Sequence, residues 1–209
     1  PTLSLILWSA PYRRRRLLAG ERPAIVAPLV AMLGRVLALA FAALSIETRG
    51  AVALPLMTGA FVFVADLIRA FDRPLTVDFV AASSYGAGTT SSGTVRWTKA
   101  PSVPVRGRHV LLVEDIVDTG RTLDFVRQRI EADAPARVRI VTLLDKPSRR
   151  ERPVHLDHVG FTVADQFVVG YGLDAAGQFR HLRHIAVLPE GEAAQLNRGG
   201  VAAETERHR

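Results

Sequence analysis

Val110-Leu111-Leu112-Val113-Glu114-Asp115-Ile116-Val117-Asp118-Thr119-Gly120-Arg121-Thr122-Leu123 is the stretch on which the reading of this chain turns. Its aliphatic start reads as a buried strand over 109–113, Glu114 to Gly120 as the loop that follows, and Thr122 to Ile130 as a helix. Adjacent acids at a strand end repel each other and lose solvation, so they call for a cation or for sugar hydroxyls. From Asp118 to Thr122 the chain enters the helix, where amides around Gly120, the helix N-terminus and two hydroxyls form a nest for a phosphate dianion. One short segment thus offers acceptors for a sugar diol and donors for its phosphate, as ribose 5-phosphate requires. A plain helix cap accounts for Asp118 and Thr119 but leaves the Glu114-Asp115 pair without a reason.

The same strand, loop and helix succession occurs upstream, as Gly50 to Leu56, Met57-Thr58-Gly59, and an apolar-periodic stretch from Phe61 to Phe71. Further strands are expected at Leu75 to Ser83, Val138 to Leu144 and His158 to Val163. Strands separated by helices predict an α/β fold with a twisted, largely parallel sheet flanked by helices, and ligands at the carboxyl ends of its strands. Ser84 to Trp97 is rich in Gly, Ser and Thr, cannot build a core, and reads as a long loop of the lid type, with Ser84 and Tyr85 at its start.

The fourteen-residue run resembles the phosphoribosyl-pyrophosphate motif of the type I phosphoribosyltransferases. Four other stretches resemble the hypoxanthine-guanine branch: Phe61 to Phe71, Ser83 to Gly93, Thr142 to Arg150 (TLLDKPSRR) and Asp165 to Leu182 (DQFVVGYGLDAAGQFRHL). The resemblance covers Ala51 to Leu188. It implies the type I fold, with a small hood built from the N-terminus and the segment after Lys146. It also implies Mg2+ as cofactor, phosphoribosyl pyrophosphate and a 6-oxopurine as partners, and a homodimer or homotetramer. By the same resemblance Glu114 and Asp115 hold the ribose hydroxyls, directly or through metal, and Asp118 is the catalytic base. Thr119, Gly120, Arg121 and Thr122 cradle the 5-phosphate, Thr58, Gly59 and Arg180 face the pyrophosphate, and Asp174 joins Glu114 and Asp115 as a metal ligand. Lys146, Phe167, Val168 and Asp174 form the purine site.

Elementary chemistry supports several of these roles. Lys146 is one of two lysines beside 25 arginines, and a compact ammonium donates to a purine O6 without demanding a fork-shaped partner. Phe167 suits stacking on a purine face. One departure stands out: where the hypoxanthine-guanine pattern reads Leu-Lys-Gly-Ser, this chain has Met57-Thr58-Gly59-Ala60, so Thr58 removes a cation near the pyrophosphate.

Bulk properties set the outer bounds. A chain of 209 residues, 48% hydrophobic, buries one sizeable core. The organisation expected is a divergent segment over 1–49, a phosphoribosyltransferase domain over 50–188 and a frayed tail over 189–209. With no cysteine, disulfides, thiolate metal sites and a thiol nucleophile are excluded, which suits the cytoplasm. The net charge of +7 is uneven: 7 basic and 2 acidic residues fall in 1–50, 12 and 10 in 51–146, and 8 and 8 in 147–209. The basic run Arg13 to Arg16 therefore reads as a solvated or oligomer-facing patch rather than a nucleic-acid site. Ala24 to Ile46 is apolar except for Arg35 and Ser45, and a charge at its middle argues for a packed helix over a membrane span. The rival readings are a regulatory protein that senses phosphoribosyl pyrophosphate or binds nucleic acid on the same fold, and a xanthine-preferring enzyme. A sensor needs the phosphate loop but not the base-pocket residues Lys146, Phe167 and Asp174.

Overall fold

The structure is a computed structural model that describes residues 25–27, 31, 34–36, 38–39, 50–71, 73–84, 95–189, 191–192 and 196. Arg13 to Arg16, Tyr85, most of the 24–46 stretch and most of the tail after 189 lie outside these residues. The chain divides into two compact units, Val30–Asp165 and a second one made of Pro1–Leu29 with Gln166–Arg209. The second unit thus begins at Gln166, and the segment expected to leave the main fold after Lys146 stays in the first unit through Asp165. It includes β8 (His158–Thr162), the edge strand of the first unit's sheet.

In the first unit, strands β2 (Val52–Pro55), β3 (Thr76–Val77), β6 (His109–Val117), β7 (Arg137–Asp145) and β8 (His158–Thr162) form one sheet in the order β3-β2-β6-β7-β8. Every neighbouring pair is parallel. Parallel strands are covered on their faces, and their sequences are correspondingly apolar: β2 is buried throughout and β6 along most of its length. Helix α1 (Phe61–Arg69) buries Phe63, Val64 and Leu67, which recur at the spacing of one helix face. Helix α2 (Arg121–Ala132) sets Leu123, Val126 and Ile130 into a core with Val52, Leu54, Val110, Leu112 and Ile140. Trp97 and Phe125 meet edge to face at its margin, ring centroids 5.5 Å apart.

Three sequence expectations are corrected. The strand expected to stop at Val113 runs on to Val117, because Glu114, Ile116 and Val117 pair in register with Thr142, Leu144 and Asp145 of β7. The acid pair therefore sits within a strand rather than in a loop. The single strand expected over Leu75–Ser83 is two, β3 and β4 (Ala81–Ser84), in different sheets. The chain follows β2 as far as Val80 and then turns away. Between the two strands the Asp78 carboxylate engages Lys99 Nζ at 2.8 Å and the amides of Ser102 and Val103, while its own amide still bonds to Ala53 O of β2. Finally, Ser84 and Trp97 are strand residues: β4 pairs antiparallel with β5 (Val95–Lys99), with Ser84 opposite Val95. The core of the expected lid, 85–94, lies outside the described residues.

In the second unit, β1 (Ile25–Ala27), β10 (Ile185–Leu188) and β9 (Phe167–Val169) form an antiparallel sheet in that order. No helix among the described residues is long and apolar enough to cross a membrane.

Candidate active site

Because β2, β6 and β7 are adjacent and parallel, their carboxyl ends bring three loops of the first unit together. There lie Thr58 and Gly59, then the last residues of β6 from Glu114 with the turn into α2 as far as Thr122, then Lys146. A cavity of about 220 Å³ opens there, lined by Leu56, Met57 and Ala82 and by Glu114 to Gly120, Thr122 and Leu123. The sequence reading had placed the acid pair and the phosphate loop on one segment, and the structure gives them one cavity.

Asp115 is 8% exposed and packs directly on the Cα of Gly59, where an added Cβ would overlap its carboxylate. That close approach, rather than a turn, is why the position is glycine. The Met57-Thr58 peptide beside it is cis. Burial pushes the Glu114 carboxyl well above its ordinary value of 4.5, and the neighbouring Asp115 charge pushes it further. Asp118 lies just beyond the strand; its Oδ1 is buried without a hydrogen bond, 3.6 Å from Arg149 Nε. Gly120 is the N-cap residue of α2 in the left-handed region, φ +81°. A Cβ there would also stand 2.6 Å from the Arg152 carbonyl, so two constraints demand glycine. Arg121 N lies 3.4 Å from Thr119 Oγ1, and the Arg121 guanidinium turns to Glu151 at 2.5 Å.

Lys146 is only 5% exposed, with Nζ 3.9 Å from Asp165 Oδ1. Burying an ammonium is costly, so this lysine is no surface charge. The sequence reading missed Arg150. Its Nε donates to the Asp118 carbonyl at 3.0 Å, its Nη2 to the Val117 carbonyl at 3.2 Å, and it forms an ion pair with Asp145. Inside the quoted run TLLDKPSRR it looked like one more basic residue after a strand, and only its tertiary contacts distinguish it.

The second unit holds the remaining expected residues and is described by itself. Phe167 is 37% exposed, whereas Val168 is buried on β9. Asp174 was expected at the metal and at the purine, and Arg180 at the pyrophosphate. Here they pair with each other, Arg180 Nη2 to Asp174 Oδ1 at 2.7 Å. Asp174 Oδ2 also accepts from Gly177 N at 2.7 Å, and Arg180 Nη1 donates to the Gly172 carbonyl at 2.6 Å.

Among the described residues no group of three or more His, Cys, Asp or Glu side chains could hold a metal ion. Glu114 and Asp115 do not make a closed cage. Two adjacent carboxylates suit a hard cation that keeps its waters and shares substrate oxygens, the habit of Mg2+.

A parallel sheet with an acid pair in one strand, and a glycine turn from that strand into the next helix, defines an α/β protein whose cavity lies at the carboxyl ends of its strands. Comparison with known proteins makes this specific. The family model for the phosphoribosyl transferase domain matches residues 36–176, and the chain belongs to that family. It is thus an enzyme of the transferase class. A hypoxanthine phosphoribosyltransferase of Haemophilus influenzae is 48% identical over 134 residues, covering 64% of this chain and 75% of that protein. One from Escherichia coli is 47% identical over 130 residues, covering 62% and 73%. Among solved structures, a hypoxanthine-guanine phosphoribosyltransferase from Bacillus anthracis shares 37% identity with a TM-score of 0.75, covering 81% of this chain and 100% of that one. A Staphylococcus aureus hypoxanthine phosphoribosyltransferase shares 32% with a TM-score of 0.76, covering 84% and 96%.

Proposed function

We propose that this protein transfers the 5-phosphoribosyl group from phosphoribosyl pyrophosphate to hypoxanthine or guanine, giving IMP or GMP and pyrophosphate. The observation that carries the reading is the lining of one cavity by Glu114, Asp115, Asp118 and the Thr119-Gly120 turn at the head of α2. Acceptors for a diol and donors for a phosphate are thereby set a few residues apart. The names of the relatives point to the base.

In this reading Glu114 and Asp115 hold the ribose hydroxyls, and Thr119, Gly120, Arg121 and Thr122 hold the 5-phosphate. Thr58 and Gly59 face the pyrophosphate, and Arg180 is the second unit's candidate for the same group. Glu114 and Asp115 would hold Mg2+, which when bound neutralises charge on the leaving group; Asp174, paired with Arg180, is not assigned to that ion. The bond from C1 to the pyrophosphate oxygen breaks as a purine nitrogen bonds to C1, and the proton of that nitrogen passes to Asp118. Lys146 donates to O6; in the second unit, taken by itself, Phe167 offers a face for stacking on a purine, and Val168 and Asp174 are the residues proposed for the base edge. The amino group at C6 of adenine is a donor, so it offers the ammonium of Lys146 no acceptor and sets donor against donor.

Incubation with phosphoribosyl pyrophosphate, Mg2+ and each of hypoxanthine, guanine, xanthine and adenine, following nucleotide formation, tests the proposal. Hypoxanthine and guanine should react. A site that leaves its own polar group unmatched with the competitor discriminates by about 10⁴, so adenine should be far slower. Adenine used within about tenfold of hypoxanthine, a difference of about 1.4 kcal/mol, would remove Lys146 from the base site. No nucleotide from any base would overturn the reading.

A further inference from the structure

We propose that Arg150 is a positioning residue that sets the phosphate loop for its ligand by holding the carbonyl side of that loop. The inference rests on the phosphate-binding reading of residues 118–122 given above. Three successive carbonyls of the loop accept hydrogen bonds from one segment, 146–152. Val117 O accepts from Lys146 N at 3.0 Å and Arg150 Nη2 at 3.2 Å, and Asp118 O from Arg150 Nε at 3.0 Å. Thr119 O accepts from Glu151 N at 2.9 Å and Arg152 N at 3.0 Å.

In a trans peptide the N–H of one residue points opposite to the carbonyl of the residue before it. Fixing the carbonyls of 117, 118 and 119 towards the 146–152 segment therefore fixes the amides of Asp118, Thr119 and Gly120 on the other side. Those three residues line the cavity. A phosphate nest consists of such converging amides, and it binds well only if no reorganisation is needed when the anion arrives.

Within the segment, Arg150 supplies the contacts that backbone groups cannot. Asp118 O is held by its side chain, and its guanidinium spans two carbonyls and a carboxylate at once, which the single ammonium of lysine cannot do. The side chains of Arg150 and Asp145 are 18% and 17% exposed, so the fork is shielded from competing water. The anchor, Asp145, is the last residue of β7, next to Lys146. The phosphate loop is thus tied to the strand end that carries the proposed base-reading lysine.

The test is calorimetric titration of the full chain with ribose 5-phosphate, alongside the KM for hypoxanthine at saturating phosphoribosyl pyrophosphate. Arg150→Met should weaken ribose 5-phosphate binding about 10- to 100-fold, the usual cost of losing charge-assisted hydrogen bonds. The KM for hypoxanthine should stay within about threefold. Arg150→Lys should recover part of the loss, and Asp145→Ala, which frees the fork from its anchor, should weaken binding in the same direction by a smaller factor. Should Arg150→Met fail to fold, Arg150→Lys and Asp145→Ala decide, and native affinity in either overturns the proposal. Arg150→Met binding ribose 5-phosphate within twofold of the native protein also overturns it, as does an equal loss for phosphate ligand and base. Failure of the native protein itself to bind ribose 5-phosphate would instead remove the phosphate-loop reading, and this inference with it.

Discussion

The acid pair at the end of β6 and the acid of the second unit are built on opposite electrostatic principles. Glu114 and Asp115 are like charges side by side, and burial together with the neighbouring carboxylate holds the Glu114 carboxyl well above its ordinary range. Asp174 instead has an arginine at 2.7 Å and a backbone amide at 2.7 Å. The first arrangement disfavours a second negative charge, and the second is held by an ion pair and a backbone amide. A cation or sugar diol therefore has more to offer at Glu114 and Asp115, whereas a ligand recruiting Asp174 or Arg180 must first compete with their ion pair.

The largest expected effect belongs to the first region. Asp118→Asn should keep donor binding but lower kcat by about 10² to 10⁴, the usual weight of a general base. Unchanged turnover, measured where chemistry is rate-limiting, would take Asp118 out of that role. Next comes Gly59→Ala, whose Cβ overlaps the Asp115 carboxylate. Displacing that carboxylate should raise the KM for phosphoribosyl pyrophosphate by about 10- to 100-fold, matching about 1–3 kcal/mol of overpacking; a KM within twofold of native would mean that Asp115 does not meet the donor. The smallest effect is expected in the satisfied region. The Asp174 and Arg180 side chains are 29% and 28% exposed, and solvent screens such a pair. Arg180→Gln should cost no more than about 1 kcal/mol, or about 2–4 °C in Tm, and a much larger drop by calorimetry would show the pair to be a structural keystone.

Much of this layout was legible in the sequence, and the errors have physical causes. The strands at 109–113 and 138–144 and the helix after Gly120 followed from apolar periodicity, because their burial is one-sided or complete. The extension of β6 to Val117 was not legible, since two acids in succession look like a loop and only pairing with β7 keeps them in the sheet. Nor was the turn away from β2 after Val80, because the following strand β4 finds its partner only in β5 some fifteen residues on. Among the site residues, Glu114, Asp115, Asp118, Thr119 and Gly120 announced themselves because acids beside a glycine turn have few structural uses. Arg150 did not, because a lone arginine after a strand is ordinary until its partners are known. The pairing of Asp174 with Arg180 needed a turn through Gly172 and Gly177, both at positive φ, that spacing does not reveal.

The central claim is that the acid pair is held against its own electrostatics until ligand arrives. Thermal unfolding of the native protein and Glu114→Gln, across pH and with or without phosphoribosyl pyrophosphate and Mg2+, tests it most directly. Because the folded pKa of Glu114 is raised, the folded state keeps a proton that the unfolded state loses above about 4.5. Native stability should therefore fall as pH climbs from there through the raised value, and Glu114→Gln should lack that fall. At neutral pH without ligand the variant should melt higher, because Gln needs no proton to stay neutral in the fold, and with ligand the native protein should gain more. A variant that melts lower without ligand, or gains as much from it as the native protein, would contradict the account.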